Sequence, residues 1–264
     1  MSIPAVKLIN PQVVFDYSAQ PKEWVDACSL CERKLDSTTD HEQDRYGYRV
    51  GVERCDCGMV FLNPRMTKAA YSDFYASGAY RRLVSAYHGR EINAHSIKPE
   101  QRAYGLRLAW LLENAIPENA KTVLDVGGST GEVAKILKDT LNLSATILDP
   151  SPRELNEVRE AETIRGLIED VDLGERRWDV VTVCQTIDHL LDPLGALRKL
   201  HDHIMPGGVL WVDALDYGRT DTLKVDHPHN FTARTLTKLI AHAGFRTVTT
   251  SRHEDHIGVV CRPR

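Results

Sequence analysis

The sequence predicts an α/β protein: a doubly wound, mostly parallel sheet preceded by a small cysteine-bearing module. Three observations carry that expectation. An apolar, β-branched run over Thr122–Val126 leads into a turn with glycines at 127, 128 and 131, and then into residues 131–138, where apolar side chains recur at helical spacing. A second apolar run ends in Asp149 and Pro150, with the acid 18 residues past Gly131. Two close cysteine pairs, Cys28 with Cys31 and Cys55 with Cys57, lie well upstream of both.

The strand, turn and acid already point to a ligand. Gly127, Gly128 and Gly131 let the backbone turn sharply and let a bound molecule approach it closely. An acid at the position of Asp149 can accept hydrogen bonds from both ribose hydroxyls of a nucleoside. A dinucleotide fingerprint reads G-x-G-x-x-G, whereas this turn reads Asp125-x-Gly127-Gly128-x-x-Gly131. The pattern suits a nucleoside cofactor without a pyrophosphate. A nicotinamide-type nucleotide, or a strand–turn–helix with no ligand, are the alternatives.

Segment 122–131 resembles motif I of the class I S-adenosylmethionine-dependent methyltransferases, D/E-x-G-x-G-x-G, with Ser129 replacing the middle glycine. The resemblance continues over roughly residues 100–264. Residues 178–193 resemble the family's fourth strand and the segment after it, with Asp188 where the family usually has Glu. A helix over 197–204, a turn at 206–208 and a fifth strand over 209–213 follow. Residues 231–245 resemble the family's late helix, with Thr232 as N-cap and Gly244 just past its end. Residues 246–251 and 257–261 would be a final, hairpin-like pair of strands. The resemblance implies a seven-stranded Rossmann-like sheet. It also implies S-adenosylmethionine bound by Asp125, Gly127, Gly128, Gly131, Asp149, Pro150 and Gln185.

The cysteines divide in two. Cys184 and Cys261 sit in apolar strands and read as small core residues. Cys28, Cys31, Cys55 and Cys57 form two knuckles separated by 23 residues, the pattern of a zinc-ribbon-like site in which each knuckle gives two thiolates to one ion. The second knuckle is C-x-C, one residue short of the usual form, so His41 stands as a reserve ligand. Disulfides or unligated thiols are the alternatives. A redox role for Cys28 and Cys31 lacks a thioredoxin-like context. The stretch from Cys57 to Arg65, followed by the tyrosines of 71–80, resembles a bacterial methyltransferase subgroup with an N-terminal zinc module and a helical cap over the cofactor cleft. That subgroup is associated with methylation of sugars, surface polysaccharides and secondary metabolites. The resemblance places Tyr75 and Tyr80 near the cofactor or the acceptor, with aromatic packing of module onto domain as the alternative. It divides the chain into a zinc module at 1–66, a helical cap at 67–98 and a methyltransferase domain at 99–264.

Methyl transfer to a hydroxyl or carbon acid needs a base. Two groups of residues can supply one: Asp188 and His189 after the fourth strand, and His227 and His229 in the loop before the late helix. One loop histidine is expected to face the cleft and the other to brace the loop, with Tyr80 as a further candidate. The net charge of −4, with both signs interspersed, offers no footprint for bulk nucleic-acid binding. No apolar run reaches membrane-spanning length, and residues 1–10 lack the pattern of a signal peptide. The expectation is a cytoplasmic enzyme that binds S-adenosylmethionine and zinc and methylates a small molecule, a sugar or nucleotide sugar above others. The rivals are an RNA base methyltransferase and a non-catalytic interaction module. Oligomeric state is open.

Overall fold

A computed structural model describes residues 10–35 and 39–264, so the expectation for the extreme N-terminus falls on residues 1–9, outside those described. In the N-terminal part, β1 (Asp40–Gln43), β2 (Arg49–Arg54) and β3 (Val60–Leu62) build one sheet, and Lys22–Glu23 pairs separately with Arg65–Met66. Two helices follow, α1 (Lys68–Ala76) and α2 (Ala79–His88), and then α3 (Lys98–Leu112). The larger part alternates strand and helix: β4 (Thr122–Val126), α4 (Glu132–Leu141), β5 (Ser144–Asp149), β6 (Glu162–Arg165), β7 (Trp178–Val183), α5 (Pro193–Asp202) and β8 (Ile204–Leu215). It ends with β9 (His229–Asn230), α6 (Ala233–His242), β10 (Phe245–His253) and β11 (His256–Pro263).

Seven strands form one sheet in the order β10-β11-β8-β7-β4-β5-β6. β6, β5, β4, β7 and β8 run parallel, and β11 joins β8 antiparallel. The chain starts in the middle at β4, moves outward through β5 and β6, then returns to β7. A crevice therefore opens between the carboxyl ends of β4 and β7, the switch point where open α/β sheets bind ligands. The central strands are buried on both faces, as their continuous apolar runs require.

Local chemistry fixes the helices around this sheet. Gly131 caps α4 in the left-handed conformation, and α4 buries Val133, Ala134 and Leu137 against the sheet. In α6, Thr232 and Thr235 form a reciprocal capping box, and Gly244 follows its end at φ +94°. The turn expected at 206–208 is instead an irregular part of β8, which begins at Ile204 and breaks register between Ile204 and Val209. The final pair of strands is antiparallel and longer than the sequence suggested, because pairing continues through Arg252 and His253. Among the described residues no helix is long and apolar enough to cross a membrane.

The module does not stand apart from the sheet. Its strands form a four-stranded sheet in the order β9-β3-β2-β1, so a strand from the far C-terminal half completes it. His229 pairs with Phe61 and Asn230 with Val60, and Leu62 N–H donates to the Pro228 carbonyl at 2.9 Å. Cys28, Leu30, Met59 and Phe61 share one apolar core with residues of β7, β8 and α6. Gly51 on β2 lets the chain at Asn63 approach closely: a Cβ there would lie 2.2 Å from the Asn63 carbonyl oxygen. Gly51→Ala should lower stability by about 1–3 kcal/mol, the usual cost of overpacking. Urea unfolding with an unchanged slope would measure this, and a wild-type midpoint would contradict it.

Candidate functional site

The crevice is a cleft of about 1800 Å³ bordered by the β4 turn, the ends of β5 and β7, and helices α2 and α3. The turn presents bare backbone to it. A Cβ on Gly127 would lie 2.3 Å from Thr186 Oγ1, and one on Gly128 would lie 2.8 Å from Asp125 Oδ2. Neither position has room for a side chain. Gly131 lies behind, capping α4. Asp125, Gly127, Gly128, Asp149, Pro150 and Gln185 all border the cleft, so the structure brings together six of the seven residues expected to hold the cofactor.

The two acids have distinct partners. Asp149 accepts from Ser129 N–H at 2.9 Å and from Ser151 N–H at 2.8 Å, one bond to each oxygen. That arrangement anchors the carboxylate and leaves lone pairs for a ligand. Asp125 accepts from the Thr182 hydroxyl at 2.7 Å, while its second oxygen is buried without a partner. Burial pushes the carboxyl of Asp125 up to about 7 and that of Asp149 up to about 6.

The histidines separate by burial. His189 borders the cleft. Its Nδ1 lies 2.8 Å from the Asp226 carbonyl, which can only accept, so Nδ1 carries a proton and, in the neutral ring, Nε2 carries the lone pair. The Tyr75 hydroxyl is 2.9 Å from the same nitrogen, and the Tyr75 and Tyr80 rings pack edge-on against the imidazole. Burial pushes the Tyr80 phenol upward, so it keeps its proton and stands as a hydrogen-bond donor. His227 does not border the cleft. It packs edge-to-face against His189 with ring centroids 4.5 Å apart, and its Nδ1 meets Asp188 Oδ2 at 3.1 Å. Burial and the Lys224 ammonium, 3.4 Å from its Nε2, hold His227 well below the usual histidine range. His229 is fully buried at the module interface, where its Nδ1 donates to the Leu190 carbonyl at 2.8 Å. Burial lowers its pKa to about 3. Asp188, His189 and His227 have donor atoms within 4.8 Å of one another, but the adjacent Lys224 cation opposes a metal ion there.

The four module cysteines meet at one point. Cys28 and Cys57 Sγ are 3.6 Å apart, and so are Cys31 and Cys55 Sγ. A tetrahedral zinc with bonds of about 2.3 Å would set such an edge at about 3.8 Å. The short C-x-C knuckle closes because Gly58, at φ +96°, turns back to donate its N–H to the Cys55 carbonyl at 2.8 Å. His41 is exposed on β1, opposite Gly51, and is not among the clustered ligand atoms.

Several residues of the site were not legible in advance. Asp213, at the carboxyl end of β8, accepts from Tyr104 Oη and from Gln185 N–H, both at 2.9 Å, and borders the cleft. An acid ending an apolar strand was a signal that could have marked it. Arg81 and Glu154 pair beside the turn at 2.9 Å, and no spacing in the sequence links a cap helix to that position. Lys224 is visible as a residue but not as a buried neighbour of His227.

Comparison with known proteins agrees with this geometry. Residues 98–250 match the family described as a methyltransferase domain. A ubiquinone biosynthesis O-methyltransferase of Vibrio parahaemolyticus is 28% identical over 159 residues, covering 57% of this chain and 66% of that protein. Its counterpart in Vibrio vulnificus is 29% identical over 127 residues, covering 45% and 54%. The chain thus spans about half to two thirds of the length of the curated relatives it matches. Among solved structures, DesVI of Streptomyces venezuelae superimposes with a TM-score of 0.54 at 16% identity, over 66% of this chain and 100% of that one. An S-adenosylmethionine-dependent methyltransferase of Clostridium acetobutylicum gives 0.52 at 11% identity, over 71% and 97%. The seven-stranded sheet is the class I methyltransferase fold.

The raised carboxyls give the unliganded protein a defined pH response. Between about pH 4, where an unfolded aspartate ionises, and about 7, folded Asp125 keeps a proton that the unfolded chain has lost. Its contribution to stability is full below that window and falls as pH rises through it. Asp125→Asn should therefore gain on wild type as pH increases from 5 to 8, by at most about 1.4 kcal/mol per pH unit. Urea midpoints across that range test this, and a constant or opposite difference would contradict it.

Proposed function

The chain belongs to the methyltransferase-domain family, and on that premise we propose that it transfers a methyl group from S-adenosylmethionine to a small molecule, a sugar or nucleotide sugar. The observation that carries this reading is the convergence of the bare Gly127–Gly128 backbone and the anchored Asp149 at the mouth of the β4/β7 crevice. Bound S-adenosylmethionine supplies an electrophilic methyl on a sulfonium. The chain must then orient the reactants, exclude water and take up a proton. Asp149 would take the ribose hydroxyls, and the Gly127–Gly128 backbone would hold the methionine end. His189 takes the acceptor's proton at Nε2, and its Nδ1–H, held by the Asp226 carbonyl, fixes that tautomer. Tyr75 and Tyr80 wall the reacting region from the cap side. His227, kept neutral by burial and held by Asp188, braces the His189 ring.

Charge near the cap supports an anionic acceptor such as a nucleotide sugar. His88 and Arg90 border the cleft, and burial followed by the positive charges of Arg45, Arg90 and Lys224 pushes the His88 pKa down. A second reading, an apolar acceptor, is favoured by Leu106 and Trp110, which border the cleft while 54% and 73% exposed. Assays with nucleotide sugars against quinols separate the two. In this reading residues 1–66 form the zinc module, 67–98 the cap and 99–264 the catalytic domain, within a cytoplasmic enzyme. One zinc ion on Cys28, Cys31, Cys55 and Cys57 would hold the module's two knuckles together.

Calorimetry with S-adenosylmethionine tests the cofactor assignment. Asp149→Ala should weaken binding by about 1.5–3 kcal/mol, the worth of hydrogen bonds to a charged acceptor, and undiminished affinity would remove the ribose assignment. For the base, His189→Ala should lower turnover by roughly 10²–10⁴-fold with cofactor affinity near wild type. Near-normal turnover in that variant would move proton removal elsewhere. Metal analysis of protein purified without added zinc should find one ion per chain, lost in Cys57→Ser and kept in His41→Ala. A stoichiometry near zero would overturn the zinc site.

A further inference from the structure

Ser129 occupies the middle of the cofactor turn at φ +52°, a left-handed conformation that is costly for any residue but glycine. Two neighbours from separate parts of the chain hold it there. Its Oγ donates to Glu154 Oε2 at 2.7 Å and accepts from Arg81 Nη2 at 3.3 Å. Arg81 Nε donates to the other Glu154 oxygen at 2.9 Å, closing a three-residue ring. Arg81 comes from α2 in the cap, and Glu154 from the short helix after β5, whose N-cap Ser151 is itself bound to Asp149. The ion pair is well shielded, with side chains 24% and 9% exposed.

We infer that Arg81, Glu154 and Ser129 form a latch by which the cap sets the cofactor turn, with Arg81 a positioning residue for cofactor binding. The inference rests on the reading of the cleft as the S-adenosylmethionine site. Glu154 and Asp149 are two shielded acids flanking the same serine, and the Arg81 guanidinium compensates the charge of Glu154. Without it, Glu154 must turn to solvent. Ser129 then loses the bond that offsets its backbone strain, and its N–H leaves Asp149. A glycine at 129 would need no such support. The serine therefore makes the turn dependent on a docked cap, and the cofactor is held tightly only while α2 is in place.

The test is S-adenosylmethionine titration by calorimetry on four proteins: wild type, Arg81→Ala, Ser129→Gly and the double variant. Arg81→Ala should weaken binding roughly tenfold when Ser129 is present, as for loss of a charge-assisted hydrogen bond. In the Ser129→Gly background the same replacement should cost less than about twofold, whatever the affinity of Ser129→Gly itself. A merely structural role for Arg81 would not be relieved by glycine. If Arg81→Ala fails to fold, Arg81→Lys, which keeps the charge but lacks the fork that reaches both partners, is read in the same pair of backgrounds. Unchanged affinity in Arg81→Ala, or an equal loss in both backgrounds, would overturn the latch alone. A wild type that binds no S-adenosylmethionine would overturn the cofactor reading and the latch with it.

Discussion

The antiparallel pairing of Val60 and Phe61 with His229 and Asn230 is the contact on which the rest of the site depends. It is only two residues long, yet it joins a sheet built near the N-terminus to a loop that leaves the fifth parallel strand. That loop would otherwise be a long polar connection over the cleft. It is instead fixed at successive points. Arg45 N–H donates to the Leu223 carbonyl, Val225 N–H to Asp44, the Tyr71 hydroxyl to the Val225 carbonyl, and Leu62 N–H to the Pro228 carbonyl. With these backbone groups satisfied by the module, the loop can lie buried. The Asp226 carbonyl is thereby placed to hold His189.

Burial of that loop sets its electrostatics. Asp188, Asp226 and His227 are each 5% exposed or less, and Lys224 lies among them. Charges this far from water need partners. Asp188 and Asp226 each keep one oxygen without one, and each lies beside His227. The outcome is a neutral His227 behind a solvent-reachable His189, so two imidazoles 4.5 Å apart do not repel one another as cations. The same logic holds at the other end of the cleft, where Asp125 and Asp149 resist ionisation near the place a sulfonium cofactor would occupy. A cation bound there would favour the charged carboxylates.

Much of this could be read from the sequence, because much of it is local. Thr122–Val126, the glycine turn, α4 and Asp149 form a contiguous unit with a strong periodic signature, and the structure shows each element where the pattern put it. Thr232 and Gly244 mark the ends of α6 through backbone chemistry that acts within a few residues. What escaped depends on long-range pairing. A two-residue strand such as His229–Asn230 has no periodicity to detect, and its partner is more than 160 positions away. The histidines illustrate the consequence. His189, His227 and His229 look equivalent as residues near strand ends, and only the module's sheet decides that His189 borders the cleft while the other two are buried. The C-x-C knuckle was ambiguous for a similar reason: its closure depends on Gly58 adopting a positive φ.

The central claim is that the cysteine-bearing module holds the histidine loop in place through β3 and β9. Site-resolved hydrogen exchange on wild type and Cys28→Ser tests it most directly, because Met59, which precedes β3, closes the Cys55 knuckle by accepting the Cys55 N–H at 2.9 Å. The account predicts that the amides of residues 60–62, 226–227 and 229–231 lose protection together in the variant, while those of Thr122–Val126 keep theirs. Amides of 226–227 and 229–231 that stay protected when the cysteine cluster is opened would show that the loop holds itself, and would contradict the account.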